Sequence, residues 1–346
     1  MNRLYTIAVR LTWFFLLLVF AQFLAGLHFR TNIEYFRATL EQLKDFSAIA
    51  PFQLRVLTPG MVWLMERFFS IDYREAFYYL ETLGWFLILV AAPASLVMLE
   101  APLSRRAKNM LGLTISIPLL LVTCLPFREY RAGPYEQTFM PLFYYPYDIY
   151  SALFALLQFL LIFRLSQRWN WKDFCWYGAV FTLASVNRET QIFFIFYFTA
   201  VLWRVCPRKR LAAAVFVQIA IFTLVRTFIT ILFDHGINPD AMAGGTPYEL
   251  HAEFNLVFLM THYFGSVVYV LSVGGAALAG FLAFRRLTPF LKISLLAYGL
   301  PLFLAIIFIG YLHETRVFLE VMPLLWLAAM QGLRTVCQEP HDEAKD

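Results

Sequence analysis

A chain of 346 residues that is 60 % apolar and only 15 % charged has too little polar surface for a soluble globular or a disordered protein. Its mean hydropathy of +0.64 places it among multi-pass membrane proteins. The net charge of +5 lies largely in short basic loops, which reads as orientation in a bilayer and excludes a nucleic-acid footprint.

The first stretch, "MNRLYTIAVRLTWFFLLLVFAQFLAG", has the basic flank of a signal sequence and an apolar run about long enough to span, which predicts an uncleaved first helix near residues 8–28. The longest outer connection follows, residues 29–75. In "TNIEYFRATLEQLKDF", Ile33, Phe36, Leu40, Leu43 and Phe46 share one helical stripe, which predicts an amphipathic interfacial helix. A second helix is expected after Arg55, with Thr58 as N-cap and Pro59 at the first helical position. Further spans are expected near residues 76–99, 110–126, 147–164, 173–186, 191–205, 211–233, 256–284, 288–311 and 316–333.

The connections alternate between two kinds. "LSRRAK", "RLSQRWNWK", "CPRKR" and "RRLTPFLK" are short and basic, whereas those at 29–75, 127–146 and 234–255 are longer and rich in Tyr, Pro and Gly. The positive-inside rule puts the basic set and both termini in the cytoplasm. The fold class is therefore an all-α bundle of ten transmembrane helices in one domain, with a short cytoplasmic tail at 334–346. The 234–255 loop has the composition of a lid. Cys124, Cys175, Cys206 and Cys337 show no paired spacing, and no disulfide is expected.

The stretch "FTLASVNRETQIFFIFYF" sets Asn187, Arg188, Glu189 and Thr190 inside a membrane-grade apolar run. One long helix over 173–205 would put two basic loops on opposite faces. Two short helices meeting at Asn187–Thr190 keep both inside. Each then has about 15 residues and rises about 22 Å, short of the roughly 30 Å hydrocarbon core. The turn is therefore expected below the outer surface, in a recess lined by protein.

The other polar clusters fall on that same side: Arg55 in "PFQLR", Arg128 and Arg131 in "REYR", Asp148 in "YYPYD", and His313, Glu314, Arg316 and Glu320 in "HETRVFLE", with Arg226 in the outer half of its helix. Bland roles compete. Glu34 follows Thr31 at capping-box spacing, Asp148 starts a helix where a carboxylate suits the dipole, and Arg316 and Glu320 are spaced i, i+4. Tyr130, Tyr135, Tyr144, Tyr145 and Tyr147 have the composition of an interfacial belt. His235, His251 and His313 lack metal-ligand spacing and no DxD motif occurs, so neither a metal nor another cofactor is expected. Charges at membrane depth are costly and usually functional. Arginines with carboxylates at headgroup depth suit a lipid-linked phosphate plus an acceptor activated by a general base.

The set "PFQLRVLTP", "YYPYD", "LASVNRET" and "HETRVFLEVMPLL" resembles bacterial multi-spanning proteins related to the GT-C class of membrane glycosyltransferases, over roughly residues 8–333. The resemblance implies a bacterial inner-membrane enzyme that transfers a sugar from a polyprenyl-phosphate donor to an extracytoplasmic glycan or lipid acceptor, among membrane lipids. It also implies a catalytic carboxylate in the first outer loop, often in an acidic pair. The loop here offers Glu34, Glu41 and Asp45 without such a pair, so Glu34 and Asp148 are both candidates for the base. Arg55, Arg188, Glu189, Arg226, Glu314, Arg316 and Glu320 are the candidate substrate-binding residues. An outer-face polysaccharide polymerase and a transporter or flippase of a lipid-linked substrate are the alternative functions.

Overall fold

The computed structural model describes residues 2–35, 38–48, 52–124, 127–130, 137–140, 143–233, 253, 273, 275–309 and 315–338. They form an all-α bundle with two short two-stranded ladders at one end. Six helical segments are long and apolar enough to cross a membrane: Ile7–Thr31, Tyr73–Leu99, Arg105–Cys124, Asp148–Gln167, Arg208–Phe233 and Pro289–Ile309.

Helix α1 (Asn2–Thr31) packs Ala21, Leu24 and Ala25 inward and leaves Phe15, Val19 and Phe23 exposed, as a helix facing lipid does. The expected interfacial helix is much shorter than the stripe that predicted it. After α1 the chain enters strand β1 (Ile33–Glu34), and only Leu40–Lys44 form helix α2. Thr39 starts α2 with a capping box: the Gln42 amide donates to Thr39 Oγ1 at 3.3 Å, and the Thr39 amide donates to Gln42 Oε1 at 3.0 Å. That box halts the stripe at Thr39. The Thr31 hydroxyl instead donates back to the Leu27 carbonyl within α1, at 2.9 Å, so Thr31 caps nothing with Glu34. Helix α3 (Leu57–Phe69) starts two residues earlier than expected. Val56 is its N-cap with no side-chain bond, Thr58 lies inside the helix, and Pro59 is its third residue.

Helix α4 (Tyr73–Ser95) is capped by Asp72 and contains Pro93. Helices α5 (Arg105–Leu113) and α6 (Ser116–Cys124) form one broken span, and Gly112 passes so close to α4 that a Cβ there would meet Pro93 Cγ at 2.6 Å. Strands β2 (Phe127–Tyr130) and β3 (Gln137–Met140) pair antiparallel, and β4 (Phe143–Tyr144) pairs parallel with β1. Helix α7 (Asp148–Gln167) is apolar on all sides and buries 16 of its 20 residues, the pattern of a helix enclosed by others. It packs against α4, α8 (Trp171–Asn187) and α9 (Ile192–Leu202).

Between α8 and α9, Arg188 is extended (φ −152°, ψ 149°) and Glu189–Gln191 form a 3-10 turn. The chain thus breaks where the charged run falls. Helix α10 (Arg208–Phe233) follows, then α11 (Gly275–Leu282), α12 (Pro289–Ser294), a π-turn (Leu295–Gly299), α13 (Leu300–Ile309), a 3-10 turn (Thr315–Phe318) and α14 (Met322–Gln338). Of the expected spans, 173–186 is present as the slightly longer α8, 191–205 as the shorter α9, 316–333 as the 3-10 turn with α14, and 256–284 is described mainly at α11. The 234–255 loop, save Glu253, lies outside the described residues.

One end of the bundle collects the C-terminal ends of α1, α6 and α8 with the N-terminal ends of α7 and α9. Asn32 Nδ2 donates to the Thr123 carbonyl at 2.8 Å, and Asn187 Nδ2 to the Tyr147 carbonyl at 3.1 Å. The opposite end carries the α7–α8 turn and the contact of Thr288 Oγ1 with the Met98 carbonyl, 3.4 Å.

Gly84 sets the approach of α4 to α7, since a Cβ there would lie 2.8 Å from Ile149 Cγ2. Gly84→Ala is expected to destabilise by about 1–3 kcal/mol through overpacking. The same change in an Ile149→Ala background should add little further loss, read as a double-mutant cycle of unfolding in detergent.

A buried layer of arginines and carboxylates

The site begins with "YYPYD". Pairing of Ile33 with Phe143 and Glu34 with Tyr144 anchors the strand. The chain then turns, and the Asp148 amide donates to the Tyr145 carbonyl at 3.1 Å as α7 starts. Tyr145 and Tyr147 stack with centroids 5.5 Å apart. The guanidinium of Arg316 lies 3.7 Å from the Tyr145 ring centre and that of Arg55 lies 4.9 Å from the Tyr147 ring centre, both within cation–π range. Tyr145 and Tyr147 are thus buried under cations, and Tyr144 is buried against His28 and Phe29, so none of the three is part of an interfacial belt.

Asn187 pins the end of α8 to the start of α7, donating to the Tyr147 carbonyl and to Ser151 Oγ at 2.9 Å. Arg188 then leaves the helix in extended backbone and crosses to the segment before α14. Its Nη1 donates to Glu320 Oε1 at 3.2 Å, and its Nη2 lies 3.8 Å from Asp148 Oδ1. Arg316 Nη1 donates to Asp148 Oδ2 at 3.3 Å. Glu320 also accepts from Thr190 Oγ1 at 2.7 Å and from the Tyr298 hydroxyl at 3.3 Å. The i, i+4 spacing of Arg316 and Glu320 therefore serves cross-helix partners, because Thr315–Phe318 is a 3-10 turn and not the first turn of an α-helix.

The second half of the layer is more open. Arg55 Nη2 donates to Glu189 Oε1 at 3.2 Å, and Arg226 Nη2 lies 4.0 Å from Glu189 Oε2 while Nη1 donates to the Leu54 carbonyl at 3.3 Å. The Glu189 side chain is 40 % exposed, whereas those of Asp148 and Glu320 are 1 % exposed. Four guanidinium groups meet three carboxylates in this layer, an excess of one positive charge among these residues. Several buried polar atoms, Tyr147 Oη, Asp148 Oδ1, Asn187 Oδ1 and Arg188 Nε, have no hydrogen-bond partner among the described residues. What opens in this half is the Glu189 carboxylate, with the Arg55 and Arg226 side chains 10 % and 16 % exposed beneath it, and an anion that displaced Glu189 would meet two guanidinium groups.

The sequence candidates divide accordingly. Asp148, Arg188, Arg316 and Glu320 form the closed half, Arg55, Glu189 and Arg226 the open half, and Glu314 lies outside the described residues. Glu34 has a different job: its Oε2 accepts from the Leu40 amide at 3.1 Å at the start of α2, and its Oε1 pairs with Arg74 at 3.3 Å. Sequence reasoning passed over Glu81, 1 % exposed in α4. It receives His28 Nδ1 at 2.7 Å, Trp85 Nε1 at 3.0 Å and the Tyr144 hydroxyl at 3.4 Å. The signal was present, a carboxylate inside the apolar run "FYYLETLGWFLILV". Gln158 and Gln191 were also passed over; in the interior Gln158 Nε2 donates to Gln191 Oε1 at 2.7 Å.

Arg188→Ala leaves Glu320 buried without its cation, and a loss of about 3–5 kcal/mol is expected in detergent unfolding. Glu34→Gln keeps an acceptor for the Leu40 amide and loses only an ion pair with an exposed arginine, so a change below about 1 kcal/mol is expected. The sequence matches no known protein-family model, and no characterised protein matches it at a significant level.

Proposed function

We propose that the chain is a multi-pass membrane glycosyltransferase of GT-C type that moves a sugar from a polyprenyl-phosphate donor to a glycan or lipid acceptor on the extracytoplasmic side of a bacterial inner membrane. The observation that carries this reading is the pair of guanidinium groups, Arg55 and Arg226, around the partly exposed Glu189 at one end of a bundle of apolar helices. A phosphate on a lipid tail sits at that depth with its chain in hydrocarbon. Arg226 rises from α10, a helix long and apolar enough to cross a membrane.

In this reading the donor phosphate binds Arg55 and Arg226 and takes over the cations that hold Glu189. The released carboxylate accepts the proton of the acceptor hydroxyl as its oxygen attacks the anomeric carbon. The bond from that carbon to the phosphate oxygen breaks, and polyprenyl phosphate leaves on the arginines. Glu189 suits the base better than Asp148, whose carboxylate lies between Arg316 and Arg188 and positions them, and better than Glu34, which caps α2.

The test is sugar transfer by the purified full-length protein in nanodiscs, supplied with a panel of radiolabelled polyprenyl-phosphate sugars and lipid or glycan acceptors. Transfer is expected to fall about 10²-fold or more in Glu189→Gln. Arg55→Lys and Arg226→Lys should each weaken donor use at least tenfold, because a point charge does not replace a planar fork. Full transfer by Glu189→Gln would overturn the base assignment. Movement of labelled donor across the bilayer without transfer would favour a flippase.

A further inference from the structure

We infer that the groove between α7 and α8, at the opposite end of the bundle from the arginine layer, binds one anionic phospholipid, with its phosphate at the α7–α8 turn and an acyl chain along the helices. The cavity there has a volume of about 660 Å³, within the roughly 300–1,000 Å³ of small-molecule sites. Leu157, Leu161 and Arg164 line it from one face of α7, and Lys172, Trp176 and Val180 line it from one face of α8. The helices are antiparallel, so Arg164 faces the start of α8 while Leu157 lies opposite Val180.

This order sorts the lining by chemistry. Both cations stand at the turn, and the apolar wall extends about 10 Å beyond them, seven residues at the α-helical rise. A phospholipid presents the same sequence of groups, charge first and hydrocarbon after. The level of the membrane boundary is marked by Trp171 and Trp176, 65 % and 59 % exposed, beside the ring cluster of Trp169, Trp171 and Phe174.

Charge decides between anionic and zwitterionic lipids. The acid of the groove, Asp173, is already engaged: its amide donates to Asn170 Oδ1 at 2.8 Å, and Asn170 Nδ2 donates to Asp173 Oδ2 at 2.6 Å, which caps α8. Arg164 and Lys172 have no ion-pair partner among the described residues and are exposed. Asp173 keeps its charge while bonded to a neutral amide, so the three groups carry a net charge of +1, which favours an anionic over a zwitterionic headgroup. Arg164 is about 24 Å along α7 from Asp148, so this site is independent of the proposed glycosyl transfer.

The probe is phosphatidylglycerol, with phosphatidylcholine as the zwitterionic reference, added to the delipidated full-length protein in detergent and counted as bound lipid by native mass spectrometry. One phosphatidylglycerol should bind in preference to phosphatidylcholine. Arg164→Gln and Lys172→Gln should each weaken it roughly fivefold, the contribution of one cation near a membrane surface. Both side chains are exposed, so the variants should fold, and Arg208→Gln at the same end is the control that should bind normally. Leu157→Trp fills the apolar part and should also weaken binding, with melting checked to exclude misfolding. Equal binding of the two lipids, or undiminished selectivity in the Arg164→Gln/Lys172→Gln protein, would overturn the assignment. Competition by soluble glycerol phosphate as effective as that of the lipid would also overturn it, leaving a simple anion site.

Discussion

Burying Asp148 at the first turn of the most enclosed helix is the constraint on which the rest of the site depends. A carboxylate that is 1 % exposed needs cations near it, because an isolated buried charge costs far more than a domain can spare. Arg316 and Arg188 supply them from two distant parts of the chain. Bringing both to Asp148 requires the end of α8 and the turn before α14 to meet over the N-terminus of α7. Arg188 then needs a second carboxylate, which Glu320 supplies, and Glu320 in turn draws Thr190 and Tyr298 to it. One buried acid thus organises several helix ends. The two tyrosine rings beneath Arg316 and Arg55 supply low-polarity floors for cations whose side chains are 5 % and 10 % exposed.

Such a layer contributes little net stability. The attraction between buried partners roughly offsets the cost of removing them from water, and apolar replacements of similar shape often do as well or better. Its persistence in a helix bundle that could have been closed with leucine points to use. The partition into a closed half and an open half gives that use a location: geometry is fixed by Asp148, Arg188, Arg316 and Glu320, and accessibility belongs to Arg55, Glu189 and Arg226.

Much of this was legible in the sequence. Charge in a run of phenylalanine and isoleucine, combined with the placement of basic loops, led to a broken helix at Asn187–Thr190. The placement of Asp148, Arg188, Arg316 and Glu320 on one side, within a wider set that included Arg55, Glu189 and Arg226, followed from the cost of charge at depth. Partner choice was not legible. Spacing of i, i+4 implies a local pair only inside an α-helix, and the segment holding Arg316 is a 3-10 turn. The role of Glu34 was misassigned because two threonines competed as caps. Thr31 had the right spacing, but the α1 helix runs through it, and Thr39 with Gln42 makes the box instead. Glu81 escaped notice because a single carboxylate near the start of a span looks like a solvated end, whereas His28 and Tyr144 approach from elsewhere in the chain.

The π-turn at Leu295–Gly299 constrains how this chain tolerates change. A wide turn holds one residue more than the regular helix, and Tyr298 within it reaches Glu320. The extra residue is absorbed inside the turn, so α12 and α13 keep the phase of one continuous helix. Removing one residue there would restore a regular helix without turning its two halves against each other, and the loss would fall on the side chain the wide turn presents, the Tyr298 hydroxyl bonded to Glu320. A deletion elsewhere in the same helix has no such slack and would rotate everything beyond it by about 100°.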